Sequence, residues 1–271
     1  MKNNRPVDRP QEFFADNLSS LIALLDEQQP DIIGLQEVDF NAHRSWHQDQ
    51  LNEISPGYHQ AYRSINWNKR YVPFPYWPPA YHFGEMLSGQ AVLSKFPIRD
   101  FETVVLQKPI NAPFYYNAFY LDRLIQLTDV QIGDQLIKVM NVHLEAFDAE
   151  TRESQARVVR DIYEQYAHKM PVILMGDFNS QPHWENGGDE VMETILASTN
   201  IASVITAERY ASQPNAFYTF DAQDPYQMID YILYTPSFLT LMESEVLSGD
   251  SEPSDHLAVL ARFRFTDAKS L

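Results

Sequence analysis

Residues 171–179 read Pro-Val-Ile-Leu-Met-Gly-Asp-Phe-Asn. Four consecutive apolar residues closed by a glycine have the form of a strand buried on both faces, since a half-exposed strand alternates instead. Asp177 and Asn179 then follow on alternate positions, hence on one side of the extended chain. Ahead of this segment, Ala149 to His168 carries Ala156, Val159, Ile162, Tyr163 and Tyr166 on one helical face with charges elsewhere, and Pro171 separates that helix from the strand. Further back, the alternating stretch Leu121 to Ile132, a Gly133-Asp134 turn and Leu136 to Val142 predict two antiparallel strands. The middle of the chain therefore reads strand, strand, helix, strand.

Toward the N-terminus, Phe13, Phe14, Leu18, Leu21, Ile22 and Leu25 recur at helical spacing, and Pro30 stops the pattern before the short buried strand Ile32-Ile33-Gly34-Leu35, which ends at Gln36-Glu37. Residues 40–85 are predicted to form a long ordered loop, densest in rings and prolines at YVPFPYWPPAYHF (71–83), and to wall a substrate cleft. Ala91 to Leu93, Ile229 to Tyr234 and Leu257 to Phe265 complete the strands. Helices and strands interleave without a regular βαβ repeat, internal repeat or linker, so the expectation is one mixed α/β domain over residues 1–271.

Composition narrows the function. With 44% hydrophobic residues in 271, the chain can bury a large core, and no apolar run approaches the roughly 18 residues of a membrane span. The opening MKNNRPVDRP lacks the apolar stretch of a signal peptide, which predicts a soluble protein and fits the cytoplasm as well as the cell exterior. Without cysteine there is no disulfide, thiolate catalysis or cysteine-bound zinc. A net charge of −17 repels polyanions and favours a small or compact phosphorylated substrate over long duplex DNA.

The chemistry-bearing residues stand where apolar strands begin or end, the places where open sheets build sites. Glu37 closes the first strand and is a candidate ligand for a hard cation such as Mg²⁺, which takes one or two carboxylates and keeps several waters. His143 and Glu145, two apart, are read on one face of a strand, where the carboxylate fixes the imidazole or both meet a ligand. Asp177 is suited to take a proton from water and Asn179 to donate to a phosphoryl oxygen; the alternative is an Asx turn. Asp255 and His256 stand at the mouth of the last strand, and Asp230, buried between Ile229 and Tyr231, is the carboxylate able to hold His256 protonated. Arg44 and Arg123 are read as surface arginines rather than phosphate ligands.

Taken in order, LQEVD (35–39), SGQAVLSKFPI (88–98), NVHLEAFD (141–148), GDFNSQP (176–182), MIDYILY (228–234) and SDHLAV (254–259) resemble the endonuclease/exonuclease/phosphatase superfamily, the deoxyribonuclease-like fold. HLEAFDAETRESQ, with Glu145, Arg152 and Gln155, looks locally closest to the tyrosyl-DNA phosphodiesterase 2-like branch and its bacterial relatives. The resemblance implies a four-layered α/β/β/α sandwich of two mixed sheets flanked by helices. It implies a Mg²⁺-dependent (or Mn²⁺-dependent) phosphodiesterase or phosphatase in which Glu37 and Asp255 serve the metal. Asp177 would activate water, His143, Asn179 and His256 would contact the phosphate, and Asp230 would orient His256.

Family members normally begin with a central strand ending in an asparagine near the metal. Here only some ten residues precede the first helix, and Asn3 and Asn4 come too early, so that strand is expected to be missing. The implied partner is a phosphorylated substrate: a nucleic-acid end, nucleotide, inositol phosphate or lipid headgroup. The competing expectation is a phosphate- or partner-binding module of the same fold with little turnover.

Overall fold

The computed structural model describes residues 9–182, 189–248 and 253–266. Asn3 and Asn4 lie outside them. Helix α1 (Gln11–Gln28) leads into strand β1 (Ile32–Asp39), and the short helix α2 (Gln50–Ile54) precedes β2 (Gln60–Val72) and β3 (Gly84–Ser94). Then come β4 (Ile98–Val105), α3 (Phe114–Phe119), β5 (Leu124–Ile132), β6 (Gln135–His143), α4 (Ala149–Ala167) and β7 (Val172–Asp177). The chain continues through α5 (Val191–Leu196), β8 (Ala202–Ser203), α6 (Ala207–Ser212), β9 (Asp230–Tyr234), β10 (Leu239–Leu247) and β11 (Ala258–Phe265).

Strands β1-β3-β2 form an antiparallel sheet, β4-β5-β6-β7-β9-β8 a mixed one with β6 and β7 parallel, and β10-β11 an antiparallel ladder. Alternation along the strands makes the layers. Leu18, Leu21 and Leu25 of α1 cover Ile33, Ala91 and Leu93 on the outer face of the three-stranded sheet, while Val92 faces Val130, Ile137 and Val139 across the sandwich. On the far side, Ala156, Val159, Tyr163 and Ala167 of α4 pack on Met140, Val142 and Leu174. The sandwich is the expected one.

Between the sheets lies a polar ladder as well as apolar packing. The Asn141 amide donates to Leu35 O (3.1 Å), Ala91 O (3.2 Å) and Gln126 Oε1 (2.8 Å), and its Oδ1 accepts from Gln36 Nε2. Buried amides must be satisfied, so this network locks one register of the two sheets and sets the end of β1 opposite the end of β6. Gly34 makes it possible: a Cβ there would stand 2.9 Å from Asn141 Oδ1. Gly176, at φ 138°, admits β7 beside β6, where a Cβ would lie 2.0 Å from Val142 O.

The expected loop over residues 40–85 contains α2, the long strand β2 and the start of β3, and is irregular before α2, between α2 and β2, and most extensively between β2 and β3. β2 escapes sequence pattern because it is an edge strand with register shifts after Ile65 and Lys69, which scramble alternation. β4 and β10, also edge strands, are likewise additional to the expected set. Among the described residues, β1 pairs only with β3 and β11 only with β10. No helix among them is long and apolar enough to cross a membrane.

Candidate active site

The C-terminal ends of β1, β6 and β7 and the start of β9 meet at one end of the sandwich, because Asp177 is in register with His143 on one side and with Asp230 on the other. Asp177 is buried. Its Oδ1 accepts from the Asn179 backbone N–H at 2.8 Å and its Oδ2 from the Asn179 amide at 3.0 Å. Asn179 adopts a left-handed conformation (φ 50°), which folds it back onto Asp177, and its amide also donates to Leu144 O at 3.0 Å. The predicted Asx geometry and the predicted site thus coincide. Burial first, then the charge of Asp230, push the Asp177 carboxyl up to about 7, poised to exchange a proton near neutrality.

His256 donates from Nδ1 to Asp230 Oδ2 at 2.8 Å. Burial opposes its charge, but Asp230, with Asp177 and Asp255, outweighs burial and raises the imidazole to about 10. The pairing expected from sequence is present. His143 is in the opposite state: burial, then Arg123 and His256, hold it well below the ordinary histidine value. Its Nε2 contacts Arg123 Nη1 and lies 3.4 Å from Asp177 Oδ2. A guanidinium only donates, so Nε2 is the acceptor in that contact.

Glu37 occupies a bulge of β1 between Leu35 and Val38, at φ 53°. The neighbouring Gln36 is tied to Asn141, and Glu37 is turned outward with its side chain 48% exposed. Among the described residues its carboxylate accepts no hydrogen bond; Arg44 stands 3.8 Å away and His143 4.0 Å. A free carboxylate beside a buried acid fits a hydrated divalent cation. Asp255 is exposed, and its charge reaches both Arg44 and His256. A second possible metal arrangement brings ligand atoms of Asp177, Asp230 and His256 within 4.8 Å of one another. In this structure the bond to Asp230 occupies the Nδ1 of His256 and holds the ring as a cation.

Three readings need correction. Glu145 does not share a strand face with His143, because β6 ends at His143. It is fully buried and accepts instead from Tyr120 Oη and the Phe147 N–H, both at 3.0 Å. Arg123 is not on the surface: it is 2% exposed, donates to Tyr120 Oη at 2.7 Å and touches His143. Arg44 is half-buried rather than on the open surface, clamped by two bonds of 2.9 Å to Asp39. Sequence gave little sign of Tyr120 and Arg123, which precede an apolar strand where polar residues usually meet solvent. Beside Asn179, a cavity of about 220 Å³ is lined by Arg152, Ser180, Gln181, Asp189 and Gln227, with Arg152 bonded to Asp189 at 2.6 Å.

The α/β sandwich gathers a carboxylate–amide pair, a carboxylate–imidazole pair and a solvent-facing glutamate at one end, the groups of an acid–base site. The chain belongs to the Endonuclease/Exonuclease/phosphatase family, whose sequence pattern matches residues 13–256. A UPF0294 protein of Vibrio cholerae is 31% identical over 132 residues, 49% of this chain and 41% of that relative. The match thus spans less than half of the curated relative's length.

In three dimensions the chain is similar to an endonuclease/exonuclease/phosphatase from Beutenbergia cavernae DSM 12333. The TM-score is 0.68 and the identity 22%, over 92% of this chain and 66% of that one. It is also similar to a humanized D. rerio TDP2, with TM-score 0.64 and 18% identity over 95% and 96% of the two chains.

Proposed function

We propose that the protein is a divalent-metal-dependent hydrolase of phosphate esters, with Mg²⁺ the expected ion and Mn²⁺ a substitute. The observation that carries this reading is the convergence of opposite proton states at one place. Asp177 is poised near pH 7 and stands beside a positively charged His256, with the neutral His143 opposite. Titratable groups pushed apart in this way divide the work of base and acid.

Glu37, supported by Asp255, would hold the metal, which supplies Lewis-acid stabilisation of charge on phosphoryl oxygens. Asp177, oriented by both donors of Asn179, takes the proton of the attacking water, which enters in line with the leaving oxygen. Asn179 also reaches the phosphate through the amide hydrogen now on Leu144 O. His143, its ring fixed by Arg123, contacts the phosphate from the opposite wall. His256, kept cationic by Asp230, neutralises charge on the leaving group and hands it a proton.

The test is hydrolysis of bis-p-nitrophenyl phosphate and p-nitrophenyl phosphate with Mg²⁺, Mn²⁺ or EDTA, by this chain and by Asp177→Ala and His256→Ala. Metal-dependent turnover lost in both variants is expected, and the diester-to-monoester ratio assigns phosphodiesterase or phosphatase. Turnover that survives EDTA or either substitution would refute the assignment.

A further inference from the structure

The rings around the site are arranged as a path rather than scattered. Tyr120 stacks on Tyr116 with centroids 4.8 Å apart and meets Phe147 at 6.5 Å. Tyr76, in the segment between β2 and β3, contacts Phe74 edge-on at 5.8 Å; Phe74 meets Phe83 at 5.4 Å, and Phe83 meets Trp67 at 5.8 Å. Trp67 Nε1 donates to Phe119 O at 2.8 Å, which fastens β2 to α3 and so holds the two ring-bearing segments together. At its inner end the path reaches the reacting centre: Tyr120 Oη accepts from Arg123, and the same guanidinium touches His143.

The outer rings are not there for the core. Phe147 is 68% and Tyr76 65% exposed, although burying such rings would stabilise the fold. The backbone N–H of Phe147 donates to the fully buried Glu145, which also accepts from Tyr120 Oη, so the residue is anchored beside Tyr120. Meanwhile four cations near the centre are already committed among the described residues. Arg44 is taken by Asp39, Arg123 by Tyr120 and His143, Arg152 by Asp189, and Lys108 by Asp122 and two carbonyls. None of the four is left for a second phosphate, and the net charge of −17 works against a polyanion.

We propose that Tyr116, Tyr120, Phe147 and Tyr76 form a substrate subsite for an uncharged aromatic arm of a phosphate ester carrying a single phosphate. This rests on the hydrolase reading and names its substrate class: an aryl or nucleoside ester, rather than an inositol polyphosphate or a polynucleotide. With phosphorus at His143, the arm lies over Tyr120 and is closed in by Phe147.

The experiment compares phenylphosphonate with methylphosphonate by titration calorimetry in Mg²⁺, on the full chain, Phe147→Ala, Tyr76→Ala and Phe147→Tyr. Both alanine sites are exposed, and a melting curve checks the fold. The expected preference for the phenyl ligand is about tenfold, falling below about threefold in the alanine variants and returning in Phe147→Tyr. Equal affinity for the two ligands, or a preference unmoved by both alanine variants, overturns the subsite. So does sedimentation with phosphatidylcholine vesicles that depends on Phe147 and Tyr76 without a phenyl preference, which would make the rings a membrane surface. A phenyl preference without turnover of p-nitrophenyl esters would sustain the subsite and sink the hydrolase reading. Turnover without the preference does the reverse.

Discussion

On the six-stranded side of the site, the charged groups reach one another before any ligand arrives. Asp177 is gripped by Asn179, Asp230 holds His256, and Arg123 fixes His143. Their strand β7 is paired on both edges, by β6 and β9. On the three-stranded side, Glu37 accepts no hydrogen bond among the described residues and meets only the longer contacts of Arg44 at 3.8 Å and His143 at 4.0 Å, at a bulge of β1 whose second edge is unpaired among those residues. The difference teaches that the groups proposed to react are preorganised while the carboxylate proposed to meet the metal is left adaptable, as would suit Mg²⁺ held by few protein ligands and several waters. The two halves are therefore expected to fail in different ways.

The largest effect is expected on the preorganised side. Asp177→Asn removes the base at nearly constant side-chain volume, so kcat for bis-p-nitrophenyl phosphate should fall by about 10³-fold. Stopped assays with and without saturating Mg²⁺ check it; recovery of rate by added metal would place Asp177 on the other side of the comparison. Glu37→Gln should do the opposite: Mg²⁺ affinity, read from the metal dependence of rate, weakens by at least about tenfold while kcat at saturating metal changes less. If Glu37→Gln lost kcat at all metal concentrations, the division drawn here would collapse.

Next in size is a pH effect confined to the imidazole pair. His256 is raised from its model-compound value of 6.5 to about 10, so between those values the native state holds a proton that the unfolded chain has lost. Its contribution to stability is fully present below about pH 6.5 and disappears as pH rises through about 10. Asp230→Asn removes the main cause of the rise, so urea unfolding in EDTA should lose stability at lower pH than in the parent chain. The alkaline limb of the rate profile should shift the same way. Unchanged limbs would mean that Asp230 does not charge His256.

Much of the preorganised side was legible in sequence for a physical reason. Val172 to Met175 is a central strand buried between neighbours, so its apolar run announces itself, and polar residues at its end stand out. Asp230 and His256 were readable because an acid between Ile229 and Tyr231 needs a partner. β2 was not legible, since an edge strand with bulges carries polar residues on several faces. Nor was Arg123, whose burial depends on Glu145, a residue brought to it only by the pairing of β5 with β6. The local signal of a charge before a strand is the same whether the charge meets solvent or a buried acid.

The smallest expected effect concerns the open edge beside Glu37. Trp46 Nε1 donates to Arg9 O at 3.0 Å, so the chain enters α1 at the same end of β1 as the site. An apolar segment fused ahead of Met1 and long enough to run back along β1, on the edge that has no partner among the described residues, would lie over the half-covered Ile173 and Met175. Pairing there would stiffen the bulge. The extended chain should melt about 4 °C higher and bind Mg²⁺ a few-fold more tightly, with the Asp177-dependent kcat nearly unchanged. A rise in kcat instead of metal affinity would show that the adaptable side limits the chemical step, and that Glu37 belongs to the same preorganised unit as Asp177.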